Sequence, residues 1–312
     1  MQPDAVPRSL SGMDQPKLCR LYLHPPILQT ARAEKLGFLT RLREALEPRG
    51  WSIQIEPSGE DARARAPDRP GYALYHMERP THDRALTFRL AYHYPFWRIE
   101  RQPERWRWPV AQARFAPDAI DAEAAADFAA RLRGRVLPGP DPTFGDHALV
   151  PLQGHIRQSR SFQTMSPIAM LDAVAATGRP TIATLHPKEV YGDDDRAALY
   201  ELTRRHPNLS IGGDTARLVR DCAYVATQNS AVAFDGYILG KPAVLFAQVD
   251  FHHIALNVAQ LGARKALALA QSHRPPFARY LDWFLRQQSL DMMAPEVEMQ
   301  IIAALKKGGW PV

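Results

Sequence analysis

The sequence predicts an α/β protein with doubly wound, mainly parallel sheets, and three observations lead to this class. Short apolar segments alternate along the chain with longer segments whose apolar residues recur at helical spacing. The alternation is most regular between residues 148 and 246. Proline and glycine fall mostly between these segments, as expected of residues that interrupt helices and strands. Strands that alternate with helices form parallel sheets that are covered on both faces.

The first half of the chain predicts a smaller α/β lobe behind a flexible tail at 1–16. Predicted strands lie at 18–24, 51–55 and 72–75. The helical periodicity of 31–46 predicts one helix, which ends before Gly50. Residues 84–115 interleave arginines with aromatic residues and are assigned to no element. Asp118 is expected to cap a helix over 119–132.

The segment Pro138-Gly139-Pro140-Asp141-Pro142 predicts a domain boundary, because it cannot continue a helix or a strand. The predicted domains are an N-terminal lobe at 17–140, a C-terminal lobe at 141–270, and helices at 271–312 that pack back on the N-terminal lobe. In the C-terminal lobe, strands are predicted at 148–152, 181–185, 208–211, 224–227 and 243–246. Helices are predicted at 167–177, 193–205, 215–220, after Ser230, and around 254–271.

Composition limits the classes of function. The chain has 312 residues, of which 46% are hydrophobic and 23% charged, as in a globular protein. Its formal net charge of +6 suits nucleic acid, acidic membrane surfaces or phosphorylated substrates, and the charge alone does not choose among them. Cys19 and Cys222 fall in predicted strands, which favours two reduced thiols. No stretch approaches the roughly 20 apolar residues of a membrane-spanning helix, so we expect a cytoplasmic protein that contacts the inner membrane at most peripherally.

Two polar segments follow predicted strands of the C-terminal lobe, namely His186-Pro187 and Gln228-Asn229-Ser230. Ligands of open parallel sheets bind beyond the carboxyl ends of the strands. Ser230 also precedes a predicted helix, whose first backbone N–H groups favour an anion. The pattern therefore predicts a phosphate site that needs no metal. The alternatives are an ordinary N-cap for Ser230 and a hydrogen-bonded loop histidine for His186.

Four segments of the C-terminal lobe carry a resemblance to a known family. They are ALVPLQ at 148–153, SFQTMSP at 161–167, TIATLHPKE at 181–189 and VATQNSAVAFDGYILGKPAVLFAQVDF at 225–251. In this order they resemble the bacterial capsule polysaccharide synthesis proteins, which include CMP-Kdo-dependent glycosyltransferases of GT-B type. The resemblance covers about 148–257 and implies a GT-B-like fold of two Rossmann-like lobes.

The resemblance also implies roles for residues of the donor site. His186 and Ser230 would contact the phosphate of a CMP-activated sugar, with Asn229 and Gln228 beside them. Asp235 stands where the family has a glutamate that approaches the cytidine ribose, and Pro187 would contact the nucleoside. Gln153 matches a family glutamine near the cleft.

The N-terminal lobe carries no motif of that family, so its residues are chosen by position. A transferase needs a base for the acceptor hydroxyl. Glu78 and Asp83, near the end of the strand at 72–75, are the candidate catalytic bases. His24 is placed in the cleft, and His76 is a further candidate at a strand end. For each of them, a solvated or structurally paired residue is the alternative.

The predicted function is transfer of a CMP-activated acidic sugar, Kdo or a sialic-acid-like sugar, to a surface polysaccharide or lipid-linked acceptor. No metal, cofactor or nucleic acid is expected to take part. His252-His253 has no acidic or histidine partner at a convincing spacing, and neither Gly-x-Gly-x-x-Gly nor a Walker A motif occurs. The alternatives are a UDP- or GDP-sugar transferase on the same fold and a non-catalytic module that binds a nucleotide sugar or glycan.

Overall fold

The computed structural model describes residues 15–312, and the chain divides into two α/β units. Unit 1 consists of the residues up to Glu104 together with Ser289–Val312, and unit 2 of Arg105–Gln288. The predicted tail at 1–16 lies outside the described residues except for its last two.

Strands and helices alternate along most of the chain in both units. The strands are β1 (Leu18–Leu23), β2 (Ser52–Pro57), β3 (Tyr72–His76), β4 (Ala85–Leu90), β5 (Phe96–Glu100), β6 (Ala148–Leu152), β7 (Thr181–Leu185), β8 (Leu209–Ile211), β9 (Tyr224–Thr227), β10 (Ala243–Leu245), β11 (Leu256–Asn257) and β12 (Leu290–Asp291). The α-helices are α1 (Pro25–Arg32), α2 (Gly37–Leu46), α3 (Glu60–Arg65), α4 (Pro109–Gln112), α5 (Ala122–Val136), α6 (Pro167–Ala175), α7 (Asp193–Arg205), α8 (Thr215–Asp221), α9 (Val232–Ile238), α10 (Val258–Leu261), α11 (Ala263–Leu269), α12 (Phe277–Leu281) and α13 (Val297–Lys307). None of the helices in residues 15–312 is long and apolar enough to cross a membrane.

Unit 1 is built on a six-stranded sheet with the order β12-β5-β4-β3-β1-β2. Strands β1 to β4 are parallel, and β5 runs antiparallel to both of its neighbours. From β1 the chain adds β2 on one side and β3 on the other, so the strand order reverses between β1 and β3. Helices α2 and α13 contribute to the core on this sheet, where the rings of Phe38 and Phe88 stack at 4.6 Å.

Unit 2 is built on a six-stranded sheet with the order β11-β10-β9-β6-β7-β8, in which every pairing is parallel. Counted from β6 as the first strand, this is the 3-2-1-4-5-6 order of a dinucleotide-binding sheet. The order reverses between β6 and β9. The two mainly parallel, doubly wound sheets confirm the predicted class of an α/β protein with two Rossmann-like lobes.

Three predicted elements differ in the structure. The segment predicted as one helix over 31–46 forms α1 and α2, with Leu36 as the N-cap of α2. Residues 84–115 contain β4 and β5, whose aromatic side chains are buried. The arginines between these aromatic residues are the reason that the sequence pattern did not predict the two strands. Asp121, rather than Asp118, caps α5, and its carboxylate accepts the Ala124 N–H at 2.7 Å.

The proline-rich segment 138–142 lies within unit 2. The Arg220 guanidinium donates to the carbonyl oxygens of Pro138 and Pro140, each at 2.8 Å, and so ties this segment to α8. The chain instead divides at Glu104/Arg105 and at Gln288/Ser289. The predicted C-terminal segment 271–312 is split by the second of these points, because β12 pairs with β5 and α13 packs on α2 in unit 1.

Candidate functional site

The carboxyl ends of three adjacent strands carry the predicted site residues of unit 2. Gln153 follows β6, His186 follows β7 and Gln228 follows β9, and the sheet places β6 between the other two. All three strands are parallel, so these ends share one edge. The turn at Gln228–Ser230 and Gln153 stand on either side of the point where the strand order reverses, which is where such sheets bind ligands.

Ser230 lies in a turn that leads directly from β9 into α9. Its side chain is nearly buried, with 7% exposed, and its Oγ accepts the Val232 N–H at 3.3 Å. The hydroxyl hydrogen is thus left to donate to a ligand. Helix α9 packs closely on β9 at Gly236, where an added Cβ would lie 3.3 Å from the Val225 side chain.

Gln228 is the most buried of the predicted site residues, with 3% of its surface exposed. Its Nε2 donates to the carbonyl oxygen of Met165 at 3.0 Å. Its Oε1 is buried and has no hydrogen-bond partner among the described residues. A buried polar atom without a partner costs about 1–3 kcal/mol, so a donor supplied by a ligand would stabilise this edge.

His186 is exposed on the loop that follows β7. Its Nδ1 accepts the backbone N–H of Lys188 at 3.2 Å, and its own backbone N–H donates to the Tyr191 hydroxyl at 3.0 Å. An acceptor role for Nδ1 places the hydrogen of the neutral ring on Nε2. His186 can therefore donate to an anion from Nε2 whether or not the ring is protonated.

The same loop carries an acidic residue that the sequence analysis did not single out. The Glu189 side chain lies against Gly154, where a Cβ would overlap its carboxylate. Glu189 thus brings negative charge to the carboxyl end of β6. An anion at this edge is consequently favoured nearer to Ser230 than directly above Gly154.

Arg105 is a second residue that the sequence analysis did not assign to the site. Its Nη2 donates to the Asn229 carbonyl oxygen at 3.1 Å, and its Nη1 lies 3.7 Å from the carboxylate of Asp250, which is 1% exposed. Arg105 therefore holds the Asn229 backbone in place within unit 2. In the sequence, Arg105 is one of several arginines in the aromatic-rich run at 88–108, and nothing in that run distinguishes it from the others.

The two predicted nucleoside contacts, Asp235 and Pro187, do not follow neighbouring strands in the structure. Asp235 lies half-buried on α9, beyond the end of β9, whereas Pro187 is exposed beyond the end of β7. Strand β6 separates these two ends. Among residues 15–312, no group of three or more His, Cys, Asp or Glu could hold a metal ion.

Unit 1 has its own polar cluster where its strand order reverses. The Glu78 carboxylate, beyond β3, lies 3.6 Å from Nε2 of His24, which follows β1. The same carboxylate accepts the Ser58 hydroxyl and pairs with Arg63 at 3.3 Å. His76 ends β3 beside them, and burial is the main cause that lowers its pKa to about 4, so this ring is neutral at pH 7.

The two predicted bases lie at opposite edges of the unit 1 sheet. Glu78 follows the carboxyl end of β3, whereas Asp83 is exposed and precedes the amino end of β4, which is parallel to β3. Asp83 is thus not brought together with Glu78, His24 or His76.

No model of a known protein family matches the chain, and no curated protein matches its sequence. Solved structures that match include Thermosulfurimonas dismutans KpsC, a beta Kdo 2,7 transferase, with 13% identity and a TM-score of 0.43 over 74% of this chain and 79% of that one. The glycotransferase of kitacinnamycin matches with 13% identity and a TM-score of 0.38 over 94% and 100%. Methanocaldococcus jannaschii UDP-GlcNAc 2-epimerase matches with 9% identity and a TM-score of 0.37 over 93% and 99%. All three TM-scores are below 0.5, so the fold class is established by the two sheets themselves.

Proposed function

We propose that the chain is a glycosyltransferase that moves a CMP-activated acidic sugar, Kdo or a sialic-acid-like sugar, to a polysaccharide or lipid-linked acceptor. The proposal is carried by one observation, the position of the Gln228–Ser230 turn at the point where the unit 2 strand order reverses. The family resemblance of residues 148–257 supplies the choice of CMP and of the acidic sugar. The acceptor class follows from the same resemblance.

The donor phosphate is proposed to bind beside Ser230. In the transfer, the acceptor oxygen bonds to the anomeric carbon while the bond from that carbon to the phosphate oxygen breaks, and CMP leaves with the electron pair. Negative charge therefore grows on the phosphate, where fixed donors stabilise the transition state. The Ser230 hydroxyl and Nε2–H of His186 are the proposed donors, with Arg105 holding the turn. These groups act without a metal.

The acceptor hydroxyl must give its proton to a base. For this role we propose the pair of His24 and Glu78 in unit 1, rather than a carboxylate acting alone. Both oxygens of Glu78 already have partners, because Ser58 and Arg63 contact Oε2 and His24 contacts Oε1. A carboxylate held by these partners is placed to orient the His24 imidazole. Nδ1 of His24 would then accept the proton.

One observation favours a second function, a non-catalytic module that binds a nucleotide sugar. The paired state of Glu78 is also what a purely structural carboxylate would show. Binding of CMP without turnover or hydrolysis of a CMP-sugar would decide for this alternative.

Thermal unfolding with CMP, UDP, GDP and NAD tests the proposed donor site. A ligand that binds only the native state raises stability by about 2.7 kcal/mol at a hundred times its Kd. We expect selective stabilisation by CMP, unchanged by EDTA, and loss of this response in His186→Ala and Ser230→Ala. Ser210→Ala, on the exposed side of β8, is the matched control that keeps the response.

Two results would contradict the proposal. A clear response to UDP with none to CMP would reject the donor and favour a UDP-sugar enzyme. A full CMP response in the double variant of His186 and Ser230 would reject the site.

A further inference from the structure

The pair His252-His253, which the proposed function does not use, lies on the loop between β10 and β11 of unit 2. Its two imidazole rings are partly buried and stack with their centroids 4.3 Å apart and their planes at 18°. Among residues 15–312 the pair belongs to no group of three or more side chains that could hold a metal ion. Its role is better sought in the hydrogen bonds that each ring makes.

Both histidines contact the backbone of one segment, residues 105–113, with which unit 2 begins. Nε2 of His252 lies 2.9 Å from the Ala111 carbonyl oxygen, and Nε2 of His253 lies 3.1 Å from that of Ala113. A carbonyl oxygen can only accept a hydrogen bond, so each ring carries a hydrogen on Nε2 and donates it. The pair therefore fastens the second half of this segment.

The protonation state of His253 agrees with this arrangement. Burial is the main cause that lowers its pKa to about 4, so the ring is neutral at pH 7. With the hydrogen on Nε2, Nδ1 is an acceptor, and the Tyr280 hydroxyl lies 3.0 Å from it. Both ring nitrogens of His253 thus have partners, which fixes the orientation of this imidazole.

Asp250, two residues before the pair, contacts the other end of the same segment. Its carboxylate is 1% exposed and lies 3.7 Å from Nη1 of Arg105. A buried carboxylate needs a partner that compensates its charge, so Asp250 holds the Arg105 guanidinium close to this loop. The loop thus contacts the segment at Arg105 as well as at Ala111 and Ala113.

Hydrogen bonds within the segment connect these contact points. The Ala111 N–H donates to the Trp108 carbonyl oxygen at 2.9 Å, and the Trp108 N–H donates to the Arg105 carbonyl oxygen at 3.1 Å. Nε2 of Gln112 donates to the Trp106 carbonyl oxygen at 2.9 Å, which adds a second link between the two halves of the segment. The backbone from Ala111 to Arg105 is thus continuously hydrogen-bonded.

Arg105 in turn contacts the turn that carries Ser230. Its Nη2 donates to the Asn229 carbonyl oxygen at 3.1 Å. This carbonyl and the Ser230 N–H belong to one planar peptide group, so the place of the guanidinium bears on the orientation of the whole group. A continuous series of hydrogen bonds therefore leads from His252 to the proposed phosphate site.

We propose that His252 is a positioning residue, which holds the Ser230 turn in its ligand-binding conformation by fastening the 105–113 segment that carries Arg105. The inference rests on the proposed function and adds to it a residue that acts through others. Without the bond from His252, the Ala111 end of the segment is released. The Arg105 guanidinium then holds the Asn229 carbonyl oxygen less firmly, and the Ser230 hydroxyl is placed less well for a phosphate.

The first test is calorimetric titration of CMP into the full chain and its variants, each checked for folding by thermal unfolding. His252→Phe keeps a ring to stack on His253 but removes the donor, and we expect about fivefold weaker CMP binding, the effect of one lost hydrogen bond. His252→Gln offers an amide N–H in place of Nε2–H and should bind CMP within about twofold of wild type. The matched control is His206→Phe, which removes the contact of Nε2 with Asp172 at 2.7 Å elsewhere in unit 2 and should leave CMP affinity unchanged.

A double variant distinguishes action through Arg105 from general destabilisation. Arg105→Lys keeps a positive charge for Asp250 but lacks the two arms of the guanidinium, and we expect about fivefold weaker CMP binding. Adding His252→Phe to it should weaken binding by less than about twofold further, because the two residues act in series.

Three results would overturn the inference while the proposed function stands, with Ser230→Ala still weakening CMP. The first is wild-type CMP affinity in His252→Phe. The second is an equal loss in His252→Phe and His206→Phe. The third is a double variant in which the effects of His252→Phe and Arg105→Lys multiply.

The amide resonance of Ser230 tests the same coupling without a ligand. It belongs to the peptide group whose carbonyl oxygen accepts from Arg105, so it responds to a change in that bond. We expect His252→Phe and Arg105→Lys to shift this resonance, and His252→Gln and His206→Phe to leave it in place. If no nucleotide binds the wild-type protein, the proposed function is rejected, and this pattern of shifts still supports the positioning role. An unmoved resonance in His252→Phe would overturn the positioning role whether or not CMP binds.

Discussion

The two units follow the same rule of topology but carry different chemistry at the edge where it applies. In unit 1 the reversal point between β1 and β3 holds the Glu78 carboxylate, which contacts the guanidinium of Arg63 and the imidazole of His24. In unit 2 the reversal point between β6 and β9 holds Gln228, whose amide oxygen is buried without a hydrogen-bond partner among residues 15–312, and Ser230, whose hydroxyl oxygen accepts the Val232 N–H. The strand order is thus a poor guide to chemistry, whereas the side chains that follow the strands are a good one.

The difference indicates how the two edges can act. The charges in unit 1 compensate one another around Glu78, so that edge is suited to holding and moving a proton. The unit 2 edge offers the Ser230 hydroxyl and Nε2–H of His186 as donors. We expect an anionic ligand to gain more at the second edge, where these two groups can donate to it.

Replacement of Glu78 is the strongest test of this contrast. Glu78→Gln removes the charge that orients His24, the proposed base, and we expect turnover of a CMP-sugar to fall about a hundredfold, the lower end of what a general base contributes. CMP binding should be retained, since unit 2 provides it. Turnover and CMP affinity, measured on the same preparation, check both statements.

Asp83→Asn is the matched control for that substitution. Asp83 is an exposed carboxylate of unit 1 at the opposite edge of the sheet, so turnover should equal that of wild type. Full activity of Glu78→Gln, or an equal loss in Asp83→Asn, would remove the proposed role of the His24–Glu78 pair.

Acid should destabilise unit 1 more steeply than unit 2. Burial is the main cause that lowers the pKa of His76 and of His82 in unit 1, and of His253 in unit 2, to about 4 each from 6.5. Below pH 6.5 the unfolded chain binds these protons and the folded chain does not. Stability is therefore full above that pH and falls as the pH drops towards 4.

The loss of stability with falling pH is measured for each unit by hydrogen exchange of β3 and β9 between pH 7 and 4, after correction for the intrinsic exchange rates. His76→Phe should make unit 1 less sensitive to acid, because a phenyl ring fits beside Phe88 and takes up no proton. Equal acid sensitivity of the two units in wild type, or a His76→Phe protein with unchanged β3 exchange, would show that these histidines do not set the difference.

The smallest expected effect concerns α5, which belongs to unit 2 although it precedes the proline-rich segment. Asp121→Ala removes the N-cap of this helix and should cost about 1 kcal/mol of stability in unit 2, seen as faster exchange in β9. Asp118→Ala should change stability by less than about 0.5 kcal/mol, because the ion pair of this exposed carboxylate with Arg279 lies at the surface. Faster exchange in β3 alone would place α5 with unit 1.

The predictions that were wrong depended on backbone geometry and on contacts with distant residues, which a local sequence pattern does not contain. A cap requires a particular backbone geometry in addition to a suitable residue, and Asp118 and Asp121 are both suitable. A proline-rich segment ends secondary structure, but a distant arginine such as Arg220 can still fasten it to the same domain. Arg105 was one of several similar arginines, and only the folded chain shows which of them reaches the Asn229 backbone.

The sequence by itself determined the fold class, most strands of unit 2 and the residues that follow them, because apolar periodicity and strand ends are local properties of the chain. Tertiary structure decided the rest. The order of the strands made the ends of β6 and β9 neighbours and so brought Gln153 close to the Ser230 turn. The parallel pairing of β3 with β4 placed Asp83 at the edge of the sheet opposite Glu78. The contact of Arg105 with the Asn229 carbonyl oxygen joins residues far apart in the chain, so no local pattern could reveal it.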